Sequence, residues 1–317
     1  MNAVFLDYDT VSYGDLDSSK LREAMPDLRL YEATAEPEIP ARIRDAEVVM
    51  LNKLPLGRGH FEAAPRLRLI ALAATGTDNV DLAAARERGI AVCNVRGYCT
   101  PSVVQQVWAM ILGLTQHVAE YRRLAVDGSW AGSAQFTVHA QPIRELAGRT
   151  FGVVGWGELG RAAARVAAAF GMRVKIANRP GGAPQADRLD LGDLLPIADI
   201  LSLHCPLNEA TAGLIGARQL SLMKPDALLI NTARGGLIDG AALAAALKSG
   251  KLGGAGIDVL PREPPIDGDP LLDPSIPNLL LTPHVAWAAR ESRQRCIDMI
   301  AANVRDFYAG GRLGRVV

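Results

Sequence analysis

Three stretches of the chain place a side chain capable of chemistry just after a short apolar run. "INTARGGLID" (230–239) carries Arg234, "DVLPREPPIDGDP" (258–270) carries Glu263 in a proline-rich loop, and "LTPHVAWAARES" (281–292) carries His284. A guanidinium clamps a carboxylate with paired hydrogen bonds and polarises an adjacent carbonyl. An imidazole gives and takes a proton near neutral pH, and a nearby carboxylate favours its charged form. Taken singly, an Arg, a Glu or a His at such a place is more often structural. Their joint placement after successive apolar runs points to a site.

A fourth stretch supplies a second reactant. In "FGVVGWGELGRAAARVAAAFG" (151–171), Gly155, Gly157 and Gly160 form G-x-G-x-x-G between a strand-like run and an alanine-rich helical run. The first glycine permits the tight turn, the second lets the backbone approach a pyrophosphate, and the third lets helix and strand pack closely. The helix N-terminus offers unpaired N–H groups and a favourable dipole to phosphates. The alternative is a structural turn without a ligand, and the strand–turn–helix context favours a dinucleotide. A hydride carrier beside an Arg, a Glu and a His describes reduction of a 2-keto acid.

The next apolar run ends in "IANRP", with Asn178 and Arg179 where an Asp or Glu would ordinarily hold the ribose hydroxyls. Asn removes a carboxylate that would repel a 2′-phosphate, and Arg brings a fork of donors suited to one. This favours NADP(H). NAD(H) stays open, with Asn178 on the ribose and Arg179 in solvent.

The elements that must position these groups are legible as apolar runs. Five lie in the first third: "AVFL" (3–6), "LRLYE" (28–32), "EVVML" (47–51), "LRLIALA" (67–73) and "IAVCNV" (90–95). Six follow: "TFGVVG" (150–155), "RVKIA" (173–177), "ILSLH" (200–204), "ALLIN" (227–231), "GAGIDV" (254–259) and "NLLLT" (278–282). Runs of this length without alternation fit strands buried on both faces of parallel sheets, with helical runs such as "GAALAAALKSG" (240–250) completing βαβ units. The fold class is therefore α/β, with two parallel-sheet domains. "VVQQVWAMILGL" (103–114) is too short to span a bilayer and reads as a buried helix. "ESRQRCIDMIAANVRDFYAGG" (291–311) is a helix with no strand after it, and the sequence does not say which sheet it covers. The irregular stretch 128–150 is the naive place for a domain break.

Composition sets outer bounds. A length of 317 residues suggests two domains. With 34 basic and 34 acidic residues the formal charge is zero, which argues against a nucleic-acid partner. Cys93, Cys99, Cys205 and Cys296 are scattered without metal-ligand spacing, as expected of reduced thiols in a cytoplasmic protein, so no metal is expected. The opening "MNAVFLDYDT" has no basic segment before a long apolar stretch, so no signal peptide is expected.

The sequence resembles the D-isomer-specific 2-hydroxyacid dehydrogenases over nearly its whole length, from "LAATGTDNVDLAAARERGIAVCNVRGY" to "TPHVAWAARESRQR". The resemblance implies that Arg234, Glu263 and His284 are the catalytic set. It implies a Rossmann-like, flavodoxin-like substrate domain made of 1–99 and 286–317, and a dinucleotide-binding Rossmann domain of 100–285. An arm at about 100–150 would build a homodimer, and the active site would lie in the cleft between the domains. Thr75 and Gly76 would present backbone N–H groups to the substrate carboxylate, opposite Arg234. Gly155, Gly157, Glu158, Leu159, Gly160, Asn178, Arg179, His204, Cys205, Pro206, Thr211, Thr232, Ala233, Asp258 and His284 would contact the coenzyme.

Asp258 and Trp287 each keep a second reading. Asp258 either bonds the nicotinamide amide or caps its strand. Trp287 either walls the substrate pocket or packs ordinarily. Within the family the similarity is greatest to enzymes that reduce hydroxypyruvate to D-glycerate and also use glyoxylate, carried by "CNVRGYCTPSVVQQ" and "TPHVAWAARESRQR". D-lactate-type and phosphonate substrates are the alternatives, and a dinucleotide-sensing transcriptional corepressor is a remote one. Many relatives have Ala-Glu where this chain has Gln105 and Gln106.

Overall fold

The computed structural model describes residues 1–317. The chain divides into two compact units, Met1–Cys99 with Trp287–Val317, and Thr100–Ala286. Each is built on one all-parallel sheet.

In the first unit β1 (Asn2–Phe5), β2 (Asp27–Leu30), β3 (Val48–Leu51), β4 (Leu69–Leu72) and β5 (Ala91–Cys93) lie in the order β2-β1-β3-β4-β5. That is the flavodoxin-like winding. Successive side chains of a strand point to opposite faces, so an unbroken apolar run feeds two cores. Phe5, Met50, Leu69 and Ala71 face one core, and Val4, Val49, Leu51, Ile70 and Leu72 face the other. Helix Arg290–Tyr308 covers the first of these faces through Cys296, Ile297, Ile300, Ala301 and Val304, which settles where the last helix packs. Arg293 on this helix is 5 % exposed and grips both carboxylate oxygens of Asp15 at 2.7 and 2.8 Å.

The second unit holds β6 (Thr150–Val154), β7 (Arg173–Ile176), β8 (Ile200–Leu203), β9 (Leu228–Asn231), β10 (Gly254–Ile257) and β11 (Leu279–Leu281). Their order is β11-β10-β9-β8-β6-β7. The winding reverses at β6, between β7 and β8, and ligands of open α/β sheets bind beyond the strand ends at such a switch point. β7 and β11 are only partly buried because they are the sheet edges. Helix Thr100–Gln116 turns Val103, Val107, Trp108, Met110, Ile111 and Leu114 inward and keeps Gln105 exposed. A Cβ on Gly256 would sit 2.8 Å from Met110 Cβ, so the glycines of "GAGI" let this helix lie directly on β10. The stretch 128–150 is irregular and lies inside this unit, so the naive break is not a boundary. No helix is long and apolar enough to cross a membrane.

Candidate active site and dinucleotide site

The turn after β6 has the geometry its glycines require. Gly155 adopts φ +102°, and a Cβ there would strike the backbone of His204 and Cys205. A Cβ on Gly160 would strike the carbonyl oxygen of Gly155. Gly157, the N-cap of helix Glu158–Ala169, faces open space. So the first and third glycines are demanded by packing, while the second leaves room above the helix N-terminus for a ligand to approach the backbone. Glu158 starts this helix and accepts a hydrogen bond from Thr100 Oγ1 at 2.5 Å. Leu159 is half-buried beside it.

Two buried polar atoms at the ends of neighbouring strands lack a partner in the chain, His204 Nδ1 after β8 and Thr232 Oγ1 after β9. A buried polar group without a partner is costly, and a polar ligand at the switch point would satisfy both. His204 is partly exposed as a residue, but its ring lies inward, with Nε2 2.9 Å from Ser202 Oγ. Burial pushes its pKa down to about 4, so the ring is neutral. Cys205 is buried. Thr211 does not face outward, because its hydroxyl braces the loop, donating to Pro206 O at 2.7 Å and accepting from Asn208 N at 2.8 Å. These residues fit a nicotinamide dinucleotide.

Asn178 is more committed than its position predicted. Its Oδ1 accepts from Gln185 N at 3.0 Å, and its Nδ2 donates to Asp190 Oδ1 at 2.7 Å. The side chain therefore closes the loop after β7. Arg179 beside it is exposed. The carboxylate of Asp190, brought close by folding, was not picked out in the sequence, since a separation of twelve positions gives no pattern that pairs it with Asn178.

The catalytic candidates sit on loops after β9, β10 and β11. Gly235 follows Arg234 and packs against the Leu260–Pro261 backbone so closely that a Cβ would collide, which draws the Arg234 loop against the loop carrying Glu263. Arg234 is half-buried, and one of its terminal nitrogens bonds Ala233 O at 2.8 Å. Glu263 accepts from Leu260 N through Oε1 at 2.9 Å and meets His284 Nδ1 through Oε2 at 2.5 Å. An imidazole whose Nδ1–H is given to a carboxylate has its ring direction and tautomer set, and its Nε2 is the atom that exchanges a proton.

His284 is held in the left-handed region, at φ +55°. The cause is Asp258, whose carbonyl accepts His284 N at 2.7 Å. The Asp258 carboxylate accepts Thr282 Oγ1 at 2.5 Å, Val285 N at 2.9 Å and Ala286 N at 2.8 Å. Three donors from 282–286 thus converge on one carboxylate that is 1 % exposed. Burial raises its pKa, against the lowering effect of the Thr282 and backbone hydrogen bonds. Asp258 thus acts as a strand-end clamp that positions His284. Thr282, which the sequence reading passed over, links this clamp to Gln106 Nε2 at 3.3 Å. The "T-P-H" motif itself was the available signal.

In the first unit, Thr75 and Gly76 follow β4. Thr75 donates its hydroxyl to Val95 O at 2.8 Å and accepts Asn94 Nδ2 at its carbonyl at 2.7 Å. Trp287 packs edge-on to Tyr98, centroids 6.4 Å apart, against the core under helix Arg290–Tyr308.

Residues 108–286 match the family described as D-isomer specific 2-hydroxyacid dehydrogenase, NAD binding domain. The chain is 43 % identical over 309 residues to a glycerate dehydrogenase of Methylorubrum extorquens, covering 97 % of this chain and 96 % of that one. This chain belongs to the D-isomer-specific 2-hydroxyacid dehydrogenases. Among solved structures, a protein of Thermus thermophilus superposes with a TM-score of 0.87 at 34 % identity, covering 100 % of both chains. An acyclic imino acid reductase in complex with NADPH and D-Arg gives 0.83 at 26 % identity, again over 100 % of both. A member of this family is an oxidoreductase that interconverts a 2-keto acid and a D-2-hydroxy acid with a nicotinamide dinucleotide.

Proposed function

We propose that this enzyme reduces hydroxypyruvate to D-glycerate, accepts the smaller glyoxylate, and catalyses the reverse oxidation. The observation that carries the reading is the His284–Glu263 pair, 2.5 Å apart and locked by Asp258 at the strand ends of the dinucleotide sheet. The name of the 43 %-identical relative supports the choice of glycerate, whose oxidation at C2 yields hydroxypyruvate.

Gly157, His204 and Thr232 would hold the dinucleotide, which would supply the hydride. Arg234 grips the keto acid carboxylate, and the N–H groups of Thr75 and Gly76, which bond no acceptor in the chain, are the first unit's donors for a carboxylate. His284 Nε2 gives its proton to the oxygen that gains charge as the carbonyl is reduced, and takes it back in the reverse direction. Glu263 keeps the ring oriented and offsets the charge of the imidazolium. His284→Ala should lower kcat by about 10²–10⁴-fold and leave coenzyme affinity, read by fluorescence titration, unchanged. Equal losses in both would refute the proton-transfer role.

For the coenzyme we favour NADP(H), with NAD(H) tolerated. Position 178 carries no acid, and Arg179 is exposed just past the end of β7, with donors suited to a 2′-phosphate. Asp190, bonded to Asn178, is the opposing feature, since a carboxylate disfavours that phosphate. Initial rates with hydroxypyruvate should give a higher kcat/KM with NADPH than with NADH, and Arg179→Ala should abolish the difference. A preference for NADH would make Arg179 a bystander.

The arm also supports a homodimer. Val118, Val126, Trp130, Phe136 and Ile143 are exposed in one segment, an apolar surface of the kind that a second copy covers. Light scattering should give twice the chain mass of 33.7 kDa. Four unpaired cysteines fit a reducing, cytoplasmic setting.

A further inference from the structure

The first unit contains a cavity of about 400 Å³. Arg96, Arg312 and Arg315 line it, over a floor that includes Met299 and Ala302 of helix Arg290–Tyr308. None of the three guanidinium groups is paired with an Asp or Glu side chain. Arg96 is held through Nε by Asn94 Oδ1 at 3.2 Å, and Arg315 through Nε by Val317 O. Their terminal nitrogens, and the whole head of Arg312, bond nothing in the chain. The nearby acid, Asp306, holds the backbone of the same turn, its Oδ2 accepting Leu313 N at 2.7 Å, and pairs with none of the three guanidinium groups. Arg315 is further engaged by the face of Phe307, 5.6 Å from its guanidinium. On a chain of zero formal charge, three guanidinium groups lining one concavity, two of them without a charged partner or ring contact, form a local anion trap.

The wall of this cavity is tied to the loop that follows β4. Asn94 is 4 % exposed. Its carbonyl accepts Asn303 Nδ2 at 3.0 Å, and its N–H donates to Gly314 O at 2.9 Å. On the other side its Nδ2 donates to Thr75 O at 2.7 Å, and Val95 N donates to Ala74 O at 3.2 Å. Gly314 adopts φ +64°, where a Cβ would crowd both Asn94 and Asn303. A pull on Arg96 or on the 312–315 turn therefore reaches Thr75 through a single buried side chain.

We propose that this cavity binds a small, multiply charged anion, of the phosphate or dicarboxylate class, and that its occupancy adjusts the Thr75–Gly76 loop and hence the KM for the keto acid. The volume suits one small ligand and excludes a polymer. The coupling half rests on the proposed role of Thr75 and Gly76 in holding substrate, whereas the binding half does not.

The test uses inorganic phosphate and citrate, each against sodium chloride of equal ionic strength. A ligand that binds the folded state raises Tm saturably, here by about 2 °C or more. The rise should disappear in Arg312→Ala and in Arg96→Ala/Arg312→Ala, variants at exposed positions that leave the core intact. It should persist in Arg179→Ala, which reports phosphate bound at the dinucleotide site instead. The KM for hydroxypyruvate should change several-fold with phosphate in the parent enzyme and stay constant in Arg312→Ala, with kcat unaltered. No saturable rise, or a rise that survives Arg312→Ala or vanishes in Arg179→Ala, overturns the site. A rise that needs Arg312 while KM stays constant overturns the coupling. If no keto acid is turned over, the thermal measurements still decide the site.

Discussion

Protonation of His204 should set the acid stability of the second unit. Its ring lies in the interior with Nδ1 unpartnered, and burial pushes its pKa down to about 4. In the unfolded chain a histidine titrates near 6.5. Above about pH 6.5 both states are neutral and there is no penalty. As pH falls below that value the unfolded chain takes up a proton that the folded ring refuses, so stability is lost, and the loss is complete once the folded ring titrates near pH 4. A gap of about 2.5 units at about 1.4 kcal/mol per unit gives a loss on the order of 3 kcal/mol, of which about 2 kcal/mol is reached by pH 5. Other groups act in the same window. Asp7 and Asp258, raised by burial, have the opposite sign, so the parent curve alone is not diagnostic. The comparison is with His204→Gln, which keeps a polar group near Ser202 and cannot titrate. Urea unfolding at pH 7.5 and pH 5.0, followed by tryptophan fluorescence, suits the question because Trp108, Trp130 and Trp156 all lie in that unit. The parent should lose about 2 kcal/mol more than His204→Gln between the two pH values. Equal losses would show that the ring is hydrated or charged in the folded protein, and the argument from burial would fall.

Three more expectations follow from the packing. Trp108 is 5 % exposed and stacked on Phe151 and Phe170 with centroids 5.7 and 5.0 Å away, so Trp108→Ala should cost about 3–5 kcal/mol in urea unfolding; a cost under about 1 kcal/mol would mean that the stack is not formed. Gly160→Ala should weaken coenzyme binding at least about tenfold, since its Cβ would displace the Gly155 carbonyl and distort the turn, and unchanged affinity in a fluorescence titration would refute that. Arg293 holds the Asp15 carboxyl well below the usual carboxylate range, so the pair stabilises above the unfolded pKa and fades as pH falls through the folded one. Asp15→Asn should therefore lower Tm at pH 7, with the difference from the parent closing below about pH 4, and a constant difference across that range would contradict the linkage.

The strands were legible because parallel sheets bury both faces, and a short apolar run such as "EVVML", repeated along the chain between helical runs, fits such a strand. The three glycines of the turn were legible as a pattern, of which Gly155 and Gly160 answer to a steric demand and Gly157 leaves room for a ligand. Arg234, Glu263 and His284 were legible as residue types after strands, and the resemblance gave them roles. Other features were decided by contacts that no spacing announces. The edge character of β7 and β11 depends on strand order, and the packing of helix Arg290–Tyr308 depends on which sheet its apolar stripe meets. Asn178 read as a ribose or phosphate contact, yet its two hydrogen bonds go to Gln185 and Asp190, because the loop after β7 folds back onto the strand.

By itself the sequence determined the α/β class and the dinucleotide turn and marked the candidate reacting side chains, since each follows from local sterics or from the chemistry of a residue type. Tertiary structure decided how those side chains are held. Asp258 gathers three donors and fixes His284 in a left-handed backbone, Asn94 joins an arginine-lined cavity to the Thr75 loop, and burial holds His204 neutral. Those outcomes depend on distances between residues far apart along the chain and on the exclusion of water around them, and both come into being only when the chain is folded.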